Sequence, residues 1–333
     1  MYTIAVCGAT GAVGRKIVEI IEEYNLPVKE LRLLASARSK GKSVPFRQQQ
    51  LIIEELTAEQ LTADIDFALF AAGGAISEKF APIAAQNGII VIDNSSIFRM
   101  DTDIPLVVPE INPQAIDLTA NKIIANPNCS TIQSVLPLAA IQKIANLTRV
   151  DYITYQAVSG AGQNGITDLE RGEKGLAPAQ FDYSIYNNVI PQIDVFLENG
   201  YTKEEVKMIT ETQKILNLPT LPISATCVRV PVKNSHSVDI SFTVDKKISL
   251  LEIRDILEKS PGITVVDDPH TLKYPMPLDA SGFDEVFVGR IRQDLYNPLQ
   301  FHMFVVADNL RKGAASNAVQ IMRYLMEHAT STK

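Results

Sequence analysis

The sequence predicts an α/β protein in two parts: a doubly wound parallel sheet over the first half, and an α+β second half with a mainly antiparallel sheet. Three observations carry this. The first half alternates short apolar runs with helical patterns. A glycine-rich segment joins its first strand to its first helix. After about residue 150, polar–apolar alternation replaces the continuous apolar runs.

Ile4-Ala5-Val6-Cys7 reads as a buried strand, and Val13 to Glu23 as a helix with an apolar stripe of Val13, Ile17, Ile20 and Ile21. Leu31 to Ala35 is a second strand and Asp66 to Ala71 a third. A helix follows around Ser77 to Gln86, then a strand over Ile89 to Ile92. Strand–helix–strand alternation calls for a parallel sheet covered on both faces. Further on, Val150 to Tyr155 reads as a strand. Thr202-Lys203-Glu204-Glu205 is a capping-box start for a helix reaching about Asn217. Ser237 to Val244 alternates strictly, as a half-buried strand does, and Ser249 to Lys259 and Ala314 to His328 read as helices.

The chain has 333 residues, 46% hydrophobic and 21% charged, and a formal net charge of −7. No Lys/Arg-rich run offers a nucleic-acid face. No stretch of ~18 apolar residues suggests a membrane span, and no charged start with a long apolar core suggests a leader peptide. Three widely spaced cysteines form neither a disulfide framework nor a metal-ligand set, so no metal is expected and a reducing cytoplasm fits.

Gly8-Ala9-Thr10-Gly11-Ala12-Val13-Gly14 fits G-x-x-G-x-x-G between a strand and a helix, a variant of the Rossmann dinucleotide fingerprint. The expected cofactor contacts are Gly8, Thr10, Gly11, Ala12 and Val13, with pyrophosphate at the helix N-terminus. NAD sites carry an acid after the second strand. Here that strand is followed by Ser36-Ala37-Arg38-Ser39. Ser36, Arg38 and Ser39 suit a 2′-phosphate, so NADP is the expected cofactor.

Asn126-Pro127-Asn128-Cys129-Ser130-Thr131 precedes an apolar helical stretch, Ile132 to Ile144. Cys129 is thereby placed at a helix N-terminus, where the dipole favours thiolate over the free thiol pKa of ~8.5. Pro137 inside that stretch should kink the helix or end its first turns. Cys7 and Cys227 sit in apolar strand contexts and read as packing residues.

Taken in order, the Gly8–Gly14 loop, the Ala35–Ser39 stretch, Asp93-Asn94-Ser95-Ser96-Ile97-Phe98-Arg99, Asn126–Thr131, Gln156, Ser159-Gly160-Ala161-Gly162, Glu211-Thr212-Gln213-Lys214, Arg229 with His236, and Asp308 to Ala315 resemble aspartate-semialdehyde dehydrogenase, in its shorter bacterial branch. The resemblance runs over nearly the whole chain. It implies NADPH-dependent conversion of L-aspartyl 4-phosphate to L-aspartate 4-semialdehyde through a cysteine thioester, in the biosynthesis of lysine and diaminopimelate, methionine, threonine and isoleucine. It implies a Rossmann domain over 1–128 completed by a C-terminal helix over 311–333, and a catalytic and dimerisation domain over 129–310. A homodimer, or a tetramer of two such dimers, is implied too.

The same resemblance assigns roles. Cys129 is the nucleophile, and His236 moves protons as base and acid. Gln156 orients the intermediate, and Asn128 helps hold the oxyanion. Arg99 and Lys214 receive phosphate, Arg229 the α-carboxylate and Glu211 the α-amine. Ser159, Gly160 and Asn309 border the nicotinamide, with Gly160 and Gly162 in a flexible loop. On pattern alone, His236 is equally a packed strand histidine, and Glu211 with Lys214 equally a surface ion pair at i, i+3. Three readings compete with it: N-acetyl-gamma-glutamyl-phosphate reductase, whose substrate lacks the free amine that Glu211 would hold; glyceraldehyde-3-phosphate dehydrogenase; and a non-catalytic NADP-binding regulator.

Overall fold

The computed structural model describes residues 1–328. The chain divides into two compact units, Met1–Asn128 with the segment from Ala314 onward, and Cys129–Gly313. Residues 329–333, the end of the expected C-terminal helix, lie outside the described residues.

In the first unit, β1 (Tyr2–Cys7), α1 (Ala12–Glu23), β2 (Val28–Ala35), β3 (Ser43–Phe46), β4 (Gln49–Glu55), β5 (Phe67–Phe70), α2 (Gly74–Gln86), β6 (Ile90–Asp93) and β7 (Ile123–Ala125) form a seven-stranded sheet with its helices. Strand order is β3-β4-β2-β1-β5-β6-β7. Neighbours run parallel except in the β3–β4 hairpin. β1 and β5 are buried almost throughout, as continuous apolar runs require in a sheet covered on both faces. α1 buries Ile17, Ile20 and Ile21 of the stripe read from its period, together with Val18, while Val13 is half-buried. The hairpin escaped sequence reading because Phe46 is the one buried residue of β3.

In the second unit, α3 (Cys129–Gln142) leads into β8 (Leu147–Gln156), α4 (Gly162–Glu173), α5 (Lys203–Ile215), β9 (Ile223–Arg229), β10 (His236–Val244), α6 (Leu250–Glu258), β11 (Ile263–Val265), a short α7 (Pro277–Ala280), β12 (Val286–Gln293) and β13 (Gln300–Ala307). Strand order is β11-β12-β13-β10-β8-β9. The middle of the sheet is antiparallel, and its two outer pairs, β11–β12 and β8–β9, are parallel. β10 buries His236, Val238, Ile240, Phe242 and Val244, while Asp239, Ser241 and Thr243 between them are partly open, a period of two that only buried Ser237 breaks. The predicted capping box forms, Thr202 with Glu205 on α5, and the structure adds a second, Ser249 with Glu252 on α6.

Two expectations are corrected. α3 continues through Pro137 as one helix. It is buried on nearly every side, so tertiary packing outweighs the one backbone donor that proline lacks. The segment read as a flexible glycine loop is a 3₁₀ turn, Val158–Ala161, running straight into α4. At Gly165 a Cβ would stand 2.2 Å from the carbonyl oxygen of Val158, so the glycine that lowers helix propensity is what lets α4 close on that turn.

After β13, a π-helical turn over Arg311–Ala315 precedes α8 (Ser316–His328), so the last helix begins two residues later than its pattern suggested. α8 contributes Ala318, Val319, Ile321, Met322, Leu325 and Met326 to the core of the first unit.

Candidate active site

The glycine loop is required by the backbone itself. Gly8 has φ of 93°, and a Cβ there would lie 2.6 Å from the carbonyl oxygen of Ala71; a Cβ on Gly14 would lie 2.2 Å from the carbonyl oxygen of Gly8. At Gly11 the nearest such contact is an ordinary 3.4 Å. Gly11 is the N-cap of α1 and makes no side-chain cap, so the first N–H groups of the helix point outward as an anion site does. A cavity of about 440 Å³ opens there, lined by Gly8, Thr10 and Gly11, by Ser36 and Ala37 after β2, and by Glu55 at the end of β4. Ala12 and Val13 follow in the first turn of α1, half-buried. Ser36 and Arg38 are exposed on the adjoining 3₁₀ turn, and Ser39 is buried. These residues fit a dinucleotide.

At the far end of the same sheet, Arg99 is buried and held by main-chain oxygens: its Nε donates to Asn126 O at 2.9 Å and its Nη2 to Asn94 O at 2.9 Å. Asp93, also buried, accepts from Ser77 Oγ and Ser95 Oγ at 2.5 Å each. Burial raises its carboxyl above the usual range, against those hydroxyls and the Arg99 charge.

The second unit gathers its reactive groups at one end of its sheet. β8 and β9 run parallel and finish together, pairing Gln156 with Arg229, while β10 begins at His236 opposite Ala307. α3 is fixed on this end by Gln133, whose Nε2 donates to His236 O at 3.0 Å and Val305 O at 3.3 Å. Its N-terminus therefore delivers half-buried Cys129 to the site. Burial lowers the pKa of Arg229 there, against the opposing charges of Glu204 and of a Cys129 thiolate. By contrast, burial pushes the thiols of Cys7 and Cys227 far above their ordinary value.

His236 is fully buried. Its Nδ1 accepts the N–H of Ala157 at 3.0 Å. In a neutral ring the proton is then on Nε2, which has no partner within the protein. Burial first, and the Arg229 charge second, hold its pKa well below the ordinary histidine value. Arg229 Nη1 donates to Ala157 O at 2.8 Å, so one residue steers both side chains. Gly160 closes on the same pair: a Cβ there would meet Arg229 Nη1 at 2.8 Å and His236 Nε2 at 3.1 Å. Phe181 lies under the Arg229 guanidinium, 5.8 Å from ring centroid to Cζ.

Sequence reading looked for a carboxylate and an amine at Glu211 and Lys214. The structure puts Glu204 and Lys207, one heptad earlier, at the strand ends. Gln156 Nε2 donates to Glu204 Oε1 at 3.3 Å, and Lys207 Nζ donates to Glu204 Oε2 at 3.2 Å and Asp194 Oδ2 at 2.8 Å. Burial would lower the Lys207 pKa, but Glu204 and Asp194 outweigh it and hold it above the usual lysine value. Glu211 is buried on the same face about 10 Å further along the axis, at 1.5 Å per residue. The N-terminal turn is fixed because Glu205 accepts both from Thr202 N (2.7 Å) and from Cys227 N in β9 (3.1 Å). The capping box was the available signal: it marks which turn faces the end of β9.

Asn309 and Ser159 hold each other, Asn309 Nδ2 donating to Ser159 Oγ at 3.0 Å, and Asn309 Oδ1 accepts from Ser235 N at 3.0 Å, immediately before His236. Asn128 is buried beside the nucleophile in sequence. Gly313 was not singled out from sequence, yet a Cβ there would come within 2.8 Å of Cys129 Cβ. Among the described residues no group of three or more His, Cys, Asp or Glu is placed to hold a metal ion, and no helix is long and apolar enough to cross a membrane.

Residues 3–119 match the family model described as semialdehyde dehydrogenase, NAD binding domain, and residues 137–312 match semialdehyde dehydrogenase, dimerisation domain. The chain is similar to the aspartate-semialdehyde dehydrogenase of Aquifex aeolicus, 50% identical with 98% of each chain covered. It is similar in structure to aspartate semialdehyde dehydrogenase II of Vibrio cholerae complexed with ASA, at a TM-score of 0.93 and 44% identity, covering 98% of each chain. The aspartate semialdehyde dehydrogenase of Candida albicans, solved with NADP, matches at a TM-score of 0.76 and 25% identity, again covering 98% of each chain.

Proposed function

The chain belongs to the aspartate-semialdehyde dehydrogenase family, and from that premise we propose how its own residues carry the reaction. It is an oxidoreductase with an NAD(P)-binding domain. The observation that carries the substrate reading is a buried cation beside a buried carboxylate. Arg229 ends β9, paired with Gln156, and Glu204 accepts from Gln156. An α-carboxylate on Arg229 and an α-amine on Glu204 describe a free amino acid. A neutral acetamido group would bring no positive charge to the Glu204 carboxylate, which Lys207 contacts at one of its oxygens.

The thiolate of Cys129 attacks the acyl carbon of aspartyl 4-phosphate, the carbonyl electrons move to oxygen, and collapse expels phosphate and leaves a thioester. When bound, NADPH would supply the hydride that reduces the thioester carbon. The second tetrahedral oxyanion then collapses, releasing the aldehyde and returning the thiolate. At both stages His236 Nε2–H and the N–H groups at the start of α3 donate to the oxyanion. Because His236 Nδ1 already accepts a backbone N–H, the proposed role of the ring is that of a neutral donor, in place of the base role that the resemblance implies. Gln156 orients the acyl group, with Asn128 beside the nucleophile. Arg99 and Lys207 take the phosphate, and Glu204 and Lys207 replace Glu211 and Lys214 as the substrate-facing pair.

NADP is the proposed cofactor, supported by a β2 end that carries Ser36, Arg38 and Ser39 and no acid. Ser159, Gly160 and Asn309 are proposed to border its nicotinamide. The compartment is a reducing cytosol, and the oligomer a homodimer, supported by the match to a dimerisation domain.

The test is phosphate-dependent NADP reduction with aspartate semialdehyde. Cys129→Ala is expected to abolish turnover and keep NADPH binding. In the wild-type protein iodoacetamide is expected to label Cys129 ahead of Cys7 and Cys227, with substrate protecting it. Turnover near wild type in Cys129→Ala would rule out the thioester.

A further inference from the structure

Arg99 owes its direction to two backbone oxygens, those of Asn94 and Asn126. Main-chain oxygens held in place fix the direction of a planar guanidinium. What fixes the two oxygens is a line of asparagine amides, half-buried at Asn94 and buried at Asn126 and Asn317. Asn126 Nδ2 donates to Asn94 Oδ1 at 3.0 Å, and Asn94 Nδ2 donates to Phe70 O at 2.9 Å. Asn317, in the first turn of α8 and fully buried, donates from Nδ2 to Asn126 Oδ1 at 2.7 Å and to Val107 O at 3.0 Å.

The line has a direction. Asn94 and Asn126 each follow a strand directly, β6 and β7, so their backbones lie where the sheet ends and a loop begins. Each backbone is also tied to the neighbouring strand: Asn94 N donates to Phe70 O at 3.0 Å, and Asn126 N to Asp93 O at 2.8 Å. Rotation about the remaining torsions is what would swing the carbonyls, and the side-chain amides oppose it. Asn317 grips the last of them from a helix 191 residues further along the chain. An apolar residue at 317 would leave Asn126 Oδ1 and Val107 O without this donor in a dry interior.

We infer that Asn317 is a positioning residue for anion binding: through Asn126 and Asn94 it sets the guanidinium of Arg99. The inference rests on the reading of Arg99 as a phosphate-binding cation. It distinguishes Asn317 from a residue that merely ties α8 to the sheet. A tie of that kind affects stability and all kinetic parameters together; a positioning residue affects the anion.

The experiment is a double-substitution cycle read in phosphate-dependent NADP reduction. Asn317→Ala is expected to raise the KM for phosphate roughly ten- to hundredfold, the scale on which small misplacement of a binding group acts. The KM for NADP and the rate of Cys129 alkylation should stay within about twofold, as for independent sites. Arg99→Ala should raise the phosphate KM at least as far, and the double variant should be no worse than Arg99→Ala alone. If Asn317→Ala does not fold, Asn317→Asp keeps the shape while removing both donated bonds, and carries the same expectation. Effects that multiply in the double variant, or a phosphate KM unmoved by either Asn317 substitution, overturn the inference while Arg99 keeps its role. A phosphate KM unmoved by Arg99→Ala overturns the reading of Arg99, and the inference with it.

Discussion

At the scale of single residues, His236 shows how one hydrogen bond selects a chemical role. A protonated ring would present an N–H at Nδ1 to the N–H of Ala157, donor against donor. With burial and Arg229 already depressing its pKa well below the ordinary value, the ring stays neutral as pH falls through 6 and beyond. The turnover rate should therefore show no acid limb near ~6.5 that belongs to this histidine. His236→Ala should cost about 10²–10³ in turnover, the usual loss for one oxyanion donor, and His236→Gln should retain more because it can still donate. A ¹⁵N NMR titration checks the tautomer directly. A limb near neutrality that vanishes in His236→Gln would restore the acid–base role. The folding consequence has the same sign: the unfolded chain takes up a proton near ~6.5 that the native chain refuses, so this group costs stability as pH falls below that value.

At the scale of elements, α5 and β10 were legible for different reasons. The period of two in His236 to Val244 shows in the burial of the strand, and Thr202 with Glu205 marked where the helix begins. Which of two similar carboxylates stands at the strand ends was not legible. Glu204 and Glu211 are seven residues apart on one helix face, and a period of 3.6 makes them nearly equivalent. Only the register of β8 against β9 separates them. Segments that follow no period were the least readable. Between α4 and α5 the chain owes its course to Asp168, whose carboxylate accepts from Ala179 N, Gln180 N and Phe181 N at 2.6, 3.1 and 3.0 Å. Burial works to raise this carboxyl, but the three donors, with Arg171, hold it below the usual range. Its contribution is therefore present above the unfolded value of ~3.9 and lost as pH falls through the lower native value. Asp168→Asn is expected to lower stability by about 1–3 kcal/mol. It should also raise the KM for the semialdehyde, because Phe181, which faces Arg229, loses its anchor. Alkylation of Cys129 should not change. Thermal melts with steady-state kinetics check this, and an unchanged KM in a destabilised variant would confine Asp168 to folding.

At the scale of the whole molecule, a net charge of −7 opposes an anionic substrate, so attraction has to be local, through cations such as Arg99, Lys207 and Arg229. Composition offers no basic face for nucleic acid, and it does not tell one cation from another. The second sheet carries a further molecular-scale property on its outer face. Ile153 and Tyr155 on β8 are exposed, and Tyr155 lies against Phe304 of β13 with ring centroids 6.2 Å apart. An open apolar strip of this kind suits a self-complementary interface. Tyr155→Arg is expected to shift a dimer to monomer in sedimentation velocity at micromolar concentration. A dimer that survives both Tyr155→Arg and Ile153→Arg would place the interface elsewhere.

Ala157 gives its N–H to His236 and its carbonyl to Arg229, and neither is a side-chain group. The arrangement is thereby insulated from most mutational drift. Whatever small residue the buried position admits, the imidazole and the guanidinium keep the same handholds. Proline alone, lacking the N–H, would release the ring while leaving the arginine gripped. The step that sorts the substrate and the step that steadies its oxyanion thus share a support written in the main chain.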